Sequence, residues 1–285
     1  MTSWGDKSED SRNSVCRVGI ARSLDDLAIV SQLQAEIWAS PGVAAPTSLL
    51  RAMSSAGGIA LLAKVGGRPV GFTYGFTGWS PHGAVYHRSH SAGVLPEYRN
   101  SGIGRALKLA QKRAVLAAGL DRIVWTFDPV QVGNAYFNLH RLGATARGFQ
   151  RNFYGRRDDA LSRTGPTDRL FAEWFLGASA QAELVRIRRA SPRATVVVPV
   201  GLPADPGTDL KAVLRRQAPL RTELEEGFAS GLHIVDFAAD SRSYRFAELP
   251  SSFPAPVEGG VGSVVPSRES AAGVRRRRST SSSPP

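Results

Sequence analysis

Residues 84–127 constrain the fold more than any other part of this chain. Ala84–Leu95 reads as an extended run, and Ile103, Leu107, Ala110 and Ala114 form one stripe of a helix over 102–118 that ends at Gly119. Arg122–Phe127 reads as a second strand. A strand, helix and strand in this order form a right-handed βαβ unit. The loop Arg99-Asn100-Ser101-Gly102-Ile103-Gly104-Arg105 then falls at the C-terminal edge of the first strand, where open α/β sheets bind ligands. The first N–H groups of a helix have no intrahelical partner, and glycines let a backbone come close to a phosphate, so the loop suits a pyrophosphate. One charge gains only about 0.3–1 kcal/mol at a helix N-terminus, so Arg99, Arg105 and several amides have to act together. The loop lacks the third glycine of dinucleotide sites and the Gly-Lys-Ser/Thr of Walker loops, and by itself it also reads as a plain turn.

The elements around it are legible too. Ser23 with Asp26 starts a helix carrying Leu27, Val30, Leu33 and Ile37. Ile59–Val65 and Val70–Thr77 flank Gly66-Gly67-Arg68-Pro69 as a hairpin. A helix over 132–141 and strands near Thr145–Tyr154 and Arg169–Leu176 complete a mixed sheet. Beyond Gly177, helix Ala178–Arg189, strand Thr195–Val200, helix Asp209–Ala229 and strand Leu232–Phe237 form an extension. The expected organisation is a disordered N-terminus over 1–15, a main domain over 16–178, an extension over 179–240 packed on or beside it, and a disordered Ser/Pro/Arg-rich tail over 241–285.

Composition excludes several classes. The single cysteine, Cys16, rules out an intramolecular disulfide and suits a reducing cytoplasm. No apolar run is long enough to span a bilayer, and Met1–Asn13 has no signal-peptide core. The net charge of +12 arises in part from Arg275–Arg278 in the tail, and the rest has no interleaved aromatics, so nucleic acid is not the expected partner.

Val94-x-Pro96-x-Tyr98-Arg99-x-x-Gly102-Ile103-Gly104 resembles the acyl-CoA pyrophosphate loop of the GNAT superfamily of N-acetyltransferases. The resemblance extends to a subfamily of predicted bacterial acetyltransferases. It is carried by Ser89-His90, Trp125–Pro129, Asn134–Leu139 with Leu142-Gly143-Ala144, Asn152–Gly155 and Pro166–Arg169, so it covers about residues 17 to 240. It implies an α/β fold with a mixed sheet, a GNAT-like acyl-CoA N-acyltransferase fold carrying a C-terminal α/β extension. It also implies direct acyl transfer from acetyl-CoA to a small amine or amino acid in a ternary complex, with no metal. Succinyl-CoA as donor, and a CoA-binding regulatory protein of weak activity, are the alternatives. A homodimer is left open.

The resemblance further implies that the two strands splay near Val94 and admit the pantetheine arm there, while Arg99, Asn100, Ser101, Gly102, Ile103, Gly104 and Arg105 wrap the pyrophosphate. A lysine-like amine is mostly protonated at pH 7, so transfer needs a base. His90 is the first candidate, because it shares the parity of Val94 and a free imidazole titrates near 6.5; a histidine satisfied inside the sheet is its rival reading. His87 is expected on the opposite face. Asp128 at the end of the second strand either orients His90, binds a cationic amine, takes the proton or starts an Asp-Pro turn. Asn134 and Asn138, at i, i+4 spacing, either bond the pantetheine or cap backbone. Many relatives place a tyrosine acid three residues before the glycine that ends this helix, but here His140 and Leu139 stand there. Tyr154 or Tyr136 is the replacement, with Tyr136 also reading as core. Arg169 is an acceptor-carboxylate candidate or the ion-pair partner of Asp168, and Trp38, Trp79, Trp125 and Trp174 are expected to fill the core or line the pocket.

Overall fold

The computed structural model describes residues 15–39, 42, 44–155, 167–202 and 209–257. The expectations for 1–14 and for the arginine run at 275–278 lie outside the described residues. Ten strands form one sheet in the order β1-β2-β3-β4-β5-β7-β6-β9-β10-β8. They are β1 (Arg17–Ile20), β2 (Ile59–Val65), β3 (Arg68–Trp79), β4 (Val85–Val94), β5 (Arg122–Phe127), β6 (Thr145–Gln150), β7 (Arg169–Phe175), β8 (Ala194–Val197), β9 (His233–Ala238) and β10 (Ser243–Ala247). Among the described residues every pairing is antiparallel except β4 with β5.

Local rules set the first half. Helix α1 (Leu24–Trp38) starts where Ser23 Oγ accepts the Asp26 amide at 3.0 Å, a cap that contributes about 1 kcal/mol. Its Leu27, Val30 and Leu33 are buried, and α2 (Thr47–Ser55) buries Leu50. The β2–β3 hairpin turns at Gly66 and Gly67, with φ of 56° and 83°, a pair of left-handed positions that residues with a Cβ resist. Helix α3 (Ile103–Ala117) links β4 to β5 and buries Ile103, Leu107 and Ala110 in the core formed with α1 and β1–β3. Helix α4 (Val132–Ala135) passes into a π-helical segment over Tyr136–Arg141.

The C-terminal elements, α5 (Ala178–Arg189), β8, α6 (Leu210–Ala229), β9 and β10, extend the same sheet. Leu220, Leu224 and Phe228 of α6 cluster with Phe237, Tyr244 and Phe246 and with Ile123, Trp125 and Leu170 of the first half.

One expectation is corrected here. Residues 241–257 were read as disordered, yet β10 pairs with both β9 and β8. Tyr244 and Phe246 are both 0 % exposed, and Tyr244 Oη donates to the Pro129 carbonyl at 2.7 Å. Burying an aromatic side chain contributes about 1.5–3 kcal/mol, enough for two of them to order a short strand inside a polar stretch. The chain then crosses the sheet at Glu173, which accepts the Val257 amide at 2.9 Å and faces Arg147 and Arg122 at 3.3 and 3.5 Å. Arg147 donates on to the Pro254 carbonyl at 2.6 Å.

Candidate acyl-donor cleft

β4 and β5 pair at only two positions, His87 with Ile123 and Arg88 with Val124. Beyond them the strands part, so that the facing backbone edges have no strand between them. The gap is an open cleft of about 350 Å³. Ser89 to Val94 line it from β4, Trp125, Thr126 and Phe127 from β5, and Gly104, Leu107 and Lys108 from α3. Trp38, Asn134, Phe137 and Asn138 close its sides, so both asparagines and two of the four tryptophans reach it.

At the open end the chain leaves Val94 through a 3-10 turn at Pro96–Tyr98. Arg99 Nε donates to the Val94 carbonyl at 3.3 Å and Ser101 Oγ to the Tyr98 carbonyl at 2.5 Å. Asn100 and Gly102 have φ of 61° and 87°. The left-handed turn at Gly102 starts α3 without a side-chain cap, and the first intrahelical bond runs from Ala106 N to Gly102 O. The N–H groups of Ile103, Gly104 and Arg105 therefore have no partner within the helix. A Cβ at Gly102 would meet nothing within 4 Å, so φ alone demands glycine there. Exposed Arg99, Asn100, Ser101 and Arg105 surround these amides, a donor set that fits phosphate oxygens.

The spacing argument for His90 is corrected. In β4 the register slips at a bulge: Tyr74 pairs with Ser91 and Gly75 with Ser89, leaving His90 as the extra residue. One inserted residue reverses the faces. His90 lies against the rings of Tyr74 and Phe76, at 5.6 and 5.9 Å, and Tyr74 Oη donates to Gln34 of α1 at 3.1 Å. Burial pushes the Tyr74 phenol up to about 12, which keeps it a donor. Val94 and Leu107 instead crowd the opposite face, where a Cβ on Gly71 would be 3.3 Å from each. His90 still borders the cleft, and it also lines a second, apolar pocket with Ala44, Ala45, Leu49, Met53, Tyr74 and Phe76. His87, expected to face away from Val94, is buried on the α3 face instead.

The sequence reading overlooked Lys108. Its Nζ lies 2.8 Å from Ser89 Oγ, 3.2 Å from Gln111 Oε1 and 4.2 Å from the centre of the Trp125 ring. Because Gln111 Oε1 faces the ammonium, its Nε2 is turned to Thr73 Oγ1 and His87 Nε2, at 3.3 and 3.2 Å, which assigns His87 Nε2 as an acceptor. Burial pulls Lys108 down to about 7, while burial and then the Lys108 charge pull His87 down to about 3. The available signal was a lysine adjoining the apolar stripe of α3, one residue from Leu107 and three before Gln111.

The remaining candidates divide. Asp128 is absent from the cleft lining: its Oδ1 accepts the Val130 amide at 3.0 Å, as a turn residue does, and burial raises its carboxyl above the usual range. Tyr154 Oη is 3.0 Å from Oγ1 of Thr126 on the cleft wall, and the Arg169 guanidinium stacks on the Tyr154 ring at 5.2 Å. Arg169 donates to the Asp168 carbonyl, so it is not the carboxylate's ion-pair partner. Leu139 is fully buried, and His140 stacks on Tyr136 and meets Asp236 at 3.0 Å, which turns it toward the C-terminal strands. Trp174 is core, but Trp79, expected to be buried or to line a pocket, is 72 % exposed. Among the described residues no helix is long and apolar enough to cross a membrane, and no cluster of three or more His, Cys, Asp or Glu could hold a metal ion.

Residues 28–143 match the model of the Acetyltransferase (GNAT) family. No curated protein sequence matches the chain. Among solved structures, a GNAT-family acetyltransferase from Streptococcus pneumoniae is 15 % identical over 56 % of this chain and 99 % of its own, with a TM-score of 0.47. The ribosomal-protein-S18-alanine N-acetyltransferase from Escherichia coli is 14 % identical over 57 % of this chain and 95 % of its own, with a TM-score of 0.45. A GNAT family acetyltransferase from Elizabethkingia anophelis with acetyl-CoA bound is 13 % identical over 59 % of this chain and 100 % of its own, with a TM-score of 0.40.

Proposed function

Because residues 28–143 form an acetyltransferase domain of the GNAT family, we propose that this chain transfers an acyl group from acetyl-CoA directly to the amine of a small acceptor. The observation that carries the proposal is the parting of β4 and β5 after Arg88, which opens a cleft ending at the free amides of α3. In this reading the loop from Arg99 to Arg105, with the amides of Ile103 and Gly104, holds the pyrophosphate. The backbone around Val94 receives the pantetheine arm as an added strand, and Asn134 and Asn138 bond it from α4 and the π-helical segment that follows.

The acceptor enters from the α1–α2 side, where His90 borders both the cleft and the apolar pocket. That pocket is lined by Leu49, Met53 and Phe76 and carries no charged side chain, which favours an amine with an apolar body over a zwitterionic amino acid. A lysine-like amine with a pKa of about 10.4 costs roughly 4–5 kcal/mol to deprotonate at pH 7. His90 is placed to take that proton as nitrogen attacks the thioester carbonyl. Tyr154, held by Thr126, offers a hydroxyl beside the cleft, and Asp128 shapes the loop that follows β5.

Release of free thiol from acetyl-CoA, followed with a panel of alkyl and aryl amines, amino acids and polyamines, tests this reading. Amine-dependent turnover is expected, fastest with apolar amines. No amine-dependent thiol release from any member would contradict it.

A further inference from the structure

Lys108 occupies the vertex of the fork. Arg88 and Val124 are the last paired residues of β4 and β5; Ser89 and Trp125, the next residue on each strand, both touch Lys108 Nζ, by a 2.8 Å hydrogen bond and a 4.2 Å cation–π contact. The side chain is 5 % exposed, lines the cleft, and among the described residues makes no ion pair: its polar partners, Ser89 and Gln111, are neutral. The nearest titratable group, His87, is buried and neutral near pH 7, so it supplies no counter-charge. A buried ammonium without an anion is costly to keep, and such groups belong where negative charge develops.

The vertex is also at the right depth. β4 runs back from Val94 to Ser89 over five residues, about 16 Å at roughly 3.3 Å per residue, away from the phosphate-binding loop. A chain anchored by its phosphates at α3 and extended along β4 carries its far end to Lys108.

We propose that Lys108 stabilises and protonates the thiolate that leaves during acyl transfer, a role resting on the acyl-CoA reading above. The acceptor nitrogen forms the new C–N bond, the C–S pair departs with sulfur, the proton lost by nitrogen passes to His90, and an ammonium proton of Lys108 passes to sulfur. Water then returns one proton from His90 to Lys108, so amine and thioester give amide and CoA thiol with nothing left over. The lowered pKa of Lys108, about 7, suits this exchange with a thiol of about 8.5. The tyrosine acid missing from the helix after β5 is thereby replaced from α3.

The test is the ionisation of bound CoA, read from the ultraviolet absorbance of its thiolate, with desulfo-CoA as the thiol-free reference. Free CoA is about 3 % thiolate at pH 7. Bound to the wild-type protein it is expected to be at least about tenfold more ionised, with no such gain in Lys108→Met or Lys108→Gln, both of which still bind desulfo-CoA. Bound CoA no more ionised than free CoA, or a gain that survives in either variant, overturns the assignment. If the wild-type protein binds neither ligand, the acyl-CoA reading itself fails.

Discussion

Arg221 of α6 grips Asp168 with both arms, Nε to Oδ2 at 2.6 Å and a terminal nitrogen to Oδ1 at 3.0 Å, and Oδ1 also accepts the Asn152 amide. The C-terminal extension thus holds the segment that carries Tyr154 and Arg169. Removing one partner of a buried pair leaves the other charge unpaired, at a cost of about 3–5 kcal/mol. Arg221→Ala is expected to lose stability of that order in urea titrations and to weaken acceptor turnover while acetyl-CoA affinity holds. A loss below about 1 kcal/mol would contradict this.

Glu173, fully buried between Arg147 and Arg122, ties down residues 254–257. Glu173→Gln keeps the shape and removes the charge. It is expected to destabilise the protein by roughly 3 kcal/mol and to open the bond after Phe253 to chymotrypsin. Unchanged proteolysis would show that the strap is held by other contacts.

Stability should depend on pH in two windows. Burial lowers His87 from 6.5 to about 3 and His233 from 6.5 to about 4. Between those limits the unfolded chain binds protons that the folded chain refuses, so stability falls as the pH drops from 6.5. Lys108, lowered from 10.5 to about 7, makes the unfolded chain the better proton binder between those values, so stability rises with pH there. Urea midpoints for wild type, His87→Gln and Lys108→Met should show the acid slope reduced in the first variant and the alkaline slope reduced in the second. Slopes parallel to wild type would contradict the burial account.

In the His90→Ala variant, kcat is expected to fall about 10²–10⁴-fold with little change in acetyl-CoA affinity, and the acid limb of the pH–rate profile should flatten. An unchanged profile would remove His90 from the chemistry. Tyr154→Phe should lower kcat more mildly, and wild-type kinetics would leave Tyr154 a structural partner of Thr126.

Leu49 is 51 % exposed at the mouth of the apolar pocket. Leu49→Glu should raise KM for apolar amines tenfold or more and leave acetyl-CoA binding intact. A lower KM for those amines would place the acceptor elsewhere.

Much of the fold was legible because local rules govern it: the cap at Ser23, the paired glycines at 66 and 67, the apolar stripe of α3, and the α5 and α6 segments all matched their patterns. The cleft loop was legible for the same reason, since strand, glycines and helix adjoin in sequence. What escaped depends on distant or irregular events. A one-residue bulge moved His90 to the other face, which no period-2 count reveals. Lys108 acquires meaning only when Ser89 and Trp125 converge on it, and Asp168 finds Arg221 across 53 positions. Strand β10 was hidden because Tyr244 and Phe246 stand in a stretch whose average composition is polar.

Calorimetric titration with acetyl-CoA, CoA and succinyl-CoA, alongside Gly102→Glu, tests the central claim most directly. The substitution forces a side chain onto a φ of 87° and puts a carboxylate among the amides that receive the phosphates. Micromolar binding of acetyl-CoA that disappears in Gly102→Glu is the predicted result. Absence of binding by all three, or binding that the variant retains, would contradict the account.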